Sequence, residues 1–268
     1  MCGKDLQVKI PLWNNDGQAF LVRVLLIVMF LLSWEMGAAY GLLDPYFFGR
    51  PSAILRDLGS MVGSGQIFHH AGVTLVEALA GFALGSLCGA ATGFVLAGSP
   101  FLARVLDPIL MVLYGIPRIA LAPLFILWFG LGLTSKVVFA FVLVYFLLLF
   151  NTYAGLGSVS RGMVDVVRVM GASKTQILRL VVIPAITPWL LAGLKSGIGM
   201  AFLGAVVGEY VGGNAGLGWM ICSAAGLFET NRVFAALCAL GMLVAAMNAL
   251  FAVVERRFLR WRPQQTLI

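Results

Sequence analysis

The sequence predicts an all-α membrane protein of about six transmembrane helices, and three observations carry that prediction. Hydrophobic residues make up 61% of the chain and charged residues 11%, where a soluble domain carries about 25% charged residues. Mean hydropathy is +0.99. The apolar residues gather in runs long enough to cross a bilayer, about 20 residues each, while the basic residues fall mostly in the connections. Six such helices with their loops use up the 268 residues, leaving no length for a separate soluble catalytic domain.

The spans are expected near residues 19–40, 71–98, 106–131, 135–158, 186–210 and 232–255. The first run, AFLVRVLLIVMFLLSW, is followed by Gly37-Ala38-Ala39, as at a signal-peptide cleavage site. A polar lead precedes it and it is long enough to span, so an uncleaved helix is expected. The organisation is then an N-terminal segment 1–18, one transmembrane domain 19–262 with a polar segment 160–185 inside it, and a tail 263–268. A net charge of +7 is compatible with nucleic-acid binding, but its placement between apolar runs is that of membrane orientation, and no nucleic-acid partner is expected. Cys2, Cys88, Cys222 and Cys238 show no paired spacing and read as small hydrophobes.

An even number of spans puts both termini on one side. With the termini inside, the inner segments hold Lys4, Lys9, Arg23, Arg104, Arg161, Arg168, Lys174, Arg179, Arg256, Arg257, Arg260 and Arg262. The outer ones hold Arg50, Arg56, Lys136 and Arg232. This bias places both termini and the 160–185 segment in the cytoplasm. In the long outer segment 41–70, Ile54, Leu55, Leu58, Met61 and Val62 recur at helical spacing, which predicts an amphipathic helix at the outer surface. His69 and His70 close that segment and read as a solvated pair. No further Cys or His stands near to complete a metal site.

The second span carries Gly81, Gly85, Gly89 and Gly93. The fifth carries Gly193 and Gly197, then Gly204, Gly208 and Gly212. Glycines four apart share a helix face and admit a second backbone. Packing within one bundle is the plainer reading, and a subunit interface or moving gate the sharper one.

The stretch DVVRVMGASKTQILRLVVIP, Asp165 to Pro184, is a basic polar island in an apolar chain. Gly171-Ala-Ser-Lys174-Thr175 looks like the tail of a phosphate-binding loop, but that loop needs Gly directly before the Lys and another five residues earlier. Ser173 and Arg168 stand there instead, so the chain does not bind ATP in that way. Val164, Val167, Met170, Ile177, Leu178 and Val181 recur at helical spacing, interrupted by Gly171, which suits a helix end and a sharp turn. Pro184 and Pro188 mark the start of the next membrane helix. The island therefore reads as a helix–turn–helix with an apolar stripe and a basic rim, suited to docking in a groove.

The order Asp165, Gly171, then Val181-Val182-Ile183-Pro184 resembles the "EAA" loop of ABC-importer permeases. Asp165 stands for the family's Glu, Val166-Val167 for its two alanines, and Val181 and Ile183 for its Ile and Leu, with the Gly-to-Pro spacing intact. PSAILRDL (51–58), GFALG (81–85), LDPIL (106–110), APLFILWFGLGLTSK (122–136), NTYAGL (151–156), GLGWMI (216–221) and the ending Glu255-Arg256-Arg257 look like the nitrate/sulfonate/taurine-type branch.

The resemblance implies a type I (MetI-like) permease bundle in a bacterial inner membrane, with a cytoplasmic coupling helix. It also implies a second permease copy as a homodimer partner, two ATPase subunits that use ATP and Mg, and a periplasmic solute-binding protein. This chain itself would bind no cofactor or metal and perform no covalent chemistry. The coupling residues are then Asp165, Val167, Met170, Gly171, Ala172, Ile177 and Pro184, with Asp165 expected in the first helical turn, where a carboxylate favours the positive helix end. The implied solute is a small anion of the sulfonate, taurine or nitrate kind.

Charges in or beside spans are costly in lipid and face protein or water. Arg118, after Pro117, reads either as a pathway cation for an anionic solute or as a helix-end Arg packed on a carboxylate or headgroup. Glu209 reads as half of an ion pair across the bundle or as a group at the outer mouth. Glu77 and Glu35 read as membrane-end charges or interhelical partners. Asn151 is open between bundle hydrogen bonding and the pathway. The rival functional class is a secondary transporter or channel working without ATP, but the halves show no convincing repeat. A membrane enzyme lacks its motifs here, with neither HExxH nor GxSxG present.

Overall fold

The computed structural model describes residues 16–258 and is helical throughout them. The helices are α1 Asp16–Ala39, α2 Pro45–Phe48, α3 Pro51–Gly63, α4 Gln66–Gly98, α5 Pro100–Gly115, α6 Ala122–Phe129, α7 Leu133–Gly157, α8 Arg161–Val169, α9 Lys174–Ile177, α10 Ile183–Gly212, α11 Leu217–Gly226 and α12 Thr230–Phe258. Five stretches are long and apolar enough to cross a membrane: α1, α4, α7, the continuous Lys174–Gly212, and α12. The bent pair Pro100–Gly115 and Arg118–Phe129 makes a sixth if it counts as one span. Lys4, Lys9, Arg260, Arg262, Cys2 and the tail 263–268 lie outside the described residues, as does most of the segment 1–18.

At the centre, α7 lies between α4 and α10. Helices in lipid gain little from hiding apolar surface, since lipid tails are apolar too, so association rests on close packing. Gly81, Gly85, Gly89 and Gly93 supply it from α4. A methyl added at Gly85 would meet Val144 Cβ and the Phe141 carbonyl at 2.8 Å, and one at Gly93 would meet Thr152 Cβ at 2.7 Å. From α10, one at Gly204 would lie 2.5 Å from Ala140 Cα and one at Gly208 3.0 Å from Lys136 Cγ. Both glycine rows thus pack against α7 inside one bundle, save Gly212, which meets Ile126 of α6 and Leu131. Ala78, Val144, Leu148, Ile198, Ala201, Phe202 and Ala205 fill the space between the three helices.

At one end, α3, α11 and α12 pack together through Ile54, Met61, Leu217, Met220, Ala235 and Ala236. The amphipathic helix expected in the segment 41–70 is α3. Its Ile54 and Met61 are buried against neighbours, while Leu55 and Val62 stay exposed. Helix α11 has no counterpart in the sequence reading, because ten residues are too few to stand out from a loop.

The third span is broken, where one helix over 106–131 is expected. Pro117 disfavours the helical conformation at the residue before it, and Ile116 is extended, with φ −66° and ψ 130°. The two halves bend by 81°. Pro123 causes no further break, because it falls in the first turn of α6, where no N–H is required. The fifth span differs too. Helix α9 is not separate from it but runs through a π turn at Leu178–Val182 into α10, with Ile183 N–H donating to Leu178 O.

Two charge placements differ from expectation. Lys136 is not an outer-segment charge: it is 4% exposed, and its Nζ lies 3.1 Å from Glu77 Oε1. The histidines are not both solvated: His69 is exposed, whereas His70 stacks on Trp219 and its Nδ1 accepts from Gly216 N–H at 3.1 Å.

Candidate functional site

Helix α8, the following turn and α9 form the most organised exposed unit of the chain. The turn is built twice over. Helix α8 ends in a Schellman motif: Gly171, at φ +86°, donates its N–H to Arg168 O at 3.0 Å, and Ala172 donates to Val167 O at 3.2 Å. A positive φ of this kind suits glycine, which has no Cβ to clash. Two residues later Ser173 opens α9 with a capping box. Gln176 N–H donates to Ser173 Oγ at 3.3 Å, and Ser173 N–H donates to Gln176 Oε1 at 2.8 Å. The Ser-Lys-Thr that looks like a phosphate-loop tail is thus a helix start.

Val164 and Val167 of α8 are half-buried. The opposite side is apolar and exposed: Met163, Val166, Val169 and Met170 are 58%, 61%, 89% and 80% exposed. Arg161, Arg168, Lys174 and Arg179 are exposed as well. Ile177 is buried, and Ala172 and Pro184 are half-buried. The unit therefore rests on the bundle through one apolar face and offers another. Met163 and Val169 escape the sequence reading, and Val166 enters it only as the counterpart of a family alanine, because on so short a helix two apolar faces merge into one pattern.

Asp165 corrects an expectation. Helix α8 begins at Arg161 and has no acidic residue in its first turn, so Asp165 stands in the second turn, where the helix dipole has faded. Its Oδ1 lies 3.1 Å from Arg168 Nη1, with both side chains about two-thirds exposed. Such a pair is worth about 0.3–0.5 kcal/mol.

The candidate pathway residues do not come together. Arg118 sits at the break between α5 and α6, its guanidinium carbon 4.6 Å from the Tyr114 ring centre and 5.9 Å from that of Phe146. Among the described residues it makes no ion pair. Asn151 donates to Leu147 O within its own helix, and its Cβ packs on Gly193. Glu209 is 1% exposed, inside the bundle. The ion pair across the bundle is not made by Glu209: the buried Lys136 pairs with Glu77. Glu209 Oε1 instead lies 2.6 Å from Thr74 Oγ1, and Oε2 accepts from Gly218 N–H at 2.6 Å. Glu35 pairs with Arg50, and Lys195 with Glu255.

The family described as "Binding-protein-dependent transport system inner membrane component" matches residues 65–260. The chain is 35% identical over 235 residues to the riboflavin transport system permease protein RibX of Chloroflexus aurantiacus, covering 88% of each. It is 30% identical to the putative aliphatic sulfonates transport permease protein SsuC of Bacillus subtilis, over 89% of this chain and 87% of that one. In fold it resembles a chain of the MetNI methionine ABC transporter in an inward-facing conformation. The TM-score is 0.61 at 21% identity, over 69% of this chain and 93% of the other.

Proposed function

The chain belongs to the binding-protein-dependent transport system inner membrane components, non-catalytic multi-pass permease subunits of ABC importers, and on that premise we propose a finer reading. Two copies form a translocation pathway for a small anionic solute of the sulfonate, taurine or nitrate kind. A periplasmic binding protein delivers the solute, and a separate ATPase dimer, using ATP and Mg, drives the cycle through α8 and α9. Both termini and this unit face the cytoplasm. The family sets aside the ATP-independent carrier.

The observation that carries the coupling role is the exposed apolar row Met163, Val166 and Met170 on a helix fixed at its end by a Schellman turn and a capping box. A rigid amphipathic helix of this kind fits a groove on a soluble partner. Because α9 runs without a break into α10, a pull on the unit moves a central helix as a rigid body.

The anionic solute rests on Arg118, whose guanidinium is held on the Tyr114 ring and pairs with no carboxylate among the described residues. A cation in a membrane domain faces protein or water rather than lipid. The relatives' names divide between a sulfonate and riboflavin, so the test lies in Arg118 itself. In proteoliposomes with the ATPase and binding protein, Arg118→Gln is expected to lower anion uptake about ten-fold or more, the loss of one charge-assisted contact. Unchanged uptake would discard the anion reading.

A further inference from the structure

The least ordinary chemistry in the bundle is a closed charged cluster. Glu77 of α4, Lys136 of α7 and Glu209 of α10 are 1%, 4% and 1% exposed. Lys136 attends Glu77. The carboxyl of Glu77 is near enough for its charge to bear on that of Glu209, and Glu77 Oε2 has no donor among the described residues. With every group ionised, two carboxylates would share one ammonium in a space closed to water. Burying a charge without compensation costs far more than protonating it.

Hydrogen-bond counting locates the proton. Thr74 Oγ1 accepts from Leu217 N–H at 2.8 Å. It has a single hydrogen to give, yet two oxygens flank it, His70 O at 3.2 Å and Glu209 Oε1 at 2.6 Å. A hydroxyl can donate only once. If Glu209 is ionised, one of these contacts sets two acceptors against each other. If Glu209 carries a proton, it donates to Thr74, Thr74 donates to His70 O, and Glu209 Oε2 still accepts from Gly218 N–H.

We propose that Glu209 is a neutral carboxylic acid in the folded protein, and that as a neutral hydrogen-bonding group it fastens the α10–α11 connection onto α4. The connection is shaped around it. Gly213 donates to Glu209 O at 2.7 Å. A methyl at Gly216 would strike the carboxyl, and one at Gly218 would lie 2.8 Å from Oε2. The charged or titratable groups facing this clamp are Glu77 from α4 and, through Glu77, Lys136 from α7. His70 lies at its edge, with its Nδ1 occupied as an acceptor, and α11 contributes the backbone N–H groups of Leu217 and Gly218. Glu209 is a positioning residue, and this role is independent of the solute.

The test is infrared difference spectroscopy of the purified protein in lipid bilayers. Wild type minus Glu209→Gln is expected to show the carbonyl stretch of one protonated carboxyl, moving to lower frequency in D2O, with carboxylate bands unchanged. Wild type minus Glu77→Gln is expected to show lost carboxylate bands. Lost carboxylate intensity in Glu209→Gln, absence of the protonated-carboxyl band, or its appearance with Glu77 instead would each overturn the proposal. Glutamine reproduces a neutral acid's donor and acceptor, so Glu209→Gln is expected to unfold within about 2 °C of wild type, whereas Glu209→Leu falls by about 5 °C or more. A Glu209→Gln drop as large as that of Glu209→Leu would equally count against it.

Discussion

Gly204 of α10 and Ala140 of α7 meet backbone to backbone: a methyl placed on Gly204 would lie 2.5 Å from Ala140 Cα and 2.9 Å from its nitrogen. Gly81 of α4 approaches the same alanine from the other side, so one small residue fixes the spacing of three central helices. Such contact is available only to glycine and alanine, and in lipid it replaces the hydrophobic drive that holds soluble helices together.

Gly204→Val is therefore expected to destabilise the bundle. Overpacking a tight site costs about 1–3 kcal/mol, and a backbone contact has little room to relax. Gly199→Ala on the same helix is the control, since nothing lies within 4 Å of its added methyl. Exchanging a helical glycine for alanine there is expected to gain about 0.5–1 kcal/mol. Thermal unfolding in detergent compares the two, and a Gly204→Val protein as stable as wild type would contradict the packing described.

Lys136→Met leaves Glu77 buried without its cation. Breaking one side of such a pair costs about 3–5 kcal/mol. Removing both charges in Glu77→Gln with Lys136→Met is expected to recover most of that loss, because the penalty lies in the unpaired charge. Unfolding temperatures of the two single variants and the double variant form the cycle that measures it.

Ser173→Ala removes the side-chain acceptor of the capping box. A lost cap costs about 1 kcal/mol, or about five-fold faster amide exchange where the opening is local. Hydrogen exchange is expected to quicken at Thr175, Gln176 and Ile177 and to stay unchanged in α7. Gly171→Val forces a β-branched residue to φ +86°, where a non-glycine residue costs about 1–2 kcal/mol, and is expected to loosen the same turn.

Val166→Glu and Met170→Glu change side chains already 61% and 80% exposed. Surface substitutions of this kind shift stability by about 0.5 kcal/mol or less. The permease is expected to fold normally while the amount of ATPase that copurifies with it falls sharply. Full retention of the ATPase by both variants would remove this face from the coupling role.

The long spans could be read from the chain because a run of some twenty apolar residues leaves few alternatives to a membrane helix. The break in the third span was half legible: Pro117 and Pro123 marked the place, but only packing sets the 81° bend. The spacing from Gly171 to Pro184 singled out the unit of α8 and α9. Its capping box was equally present as Ser173-Lys-Thr-Gln176, hidden by its likeness to a phosphate loop. Lys136 was illegible. Beside Gly130, Gly132 and a polar Thr-Ser pair it looks like a loop-end charge, and its partner Glu77 stands on another helix.

The sequence by itself determined that this chain is a helical membrane protein, which runs are long enough to cross the bilayer, where the glycine faces lie and which polar segment interrupts the apolar chain. Those properties are carried by local composition and periodicity, which act over one or two helical turns. Only the tertiary structure decided that both glycine faces close on α7, that Glu77 rather than Glu209 takes the lysine, and that the α10–α11 connection wraps around a buried carboxyl. These depend on the axial register at which α4, α7 and α10 cross, and register is set by contacts between residues far apart in the chain.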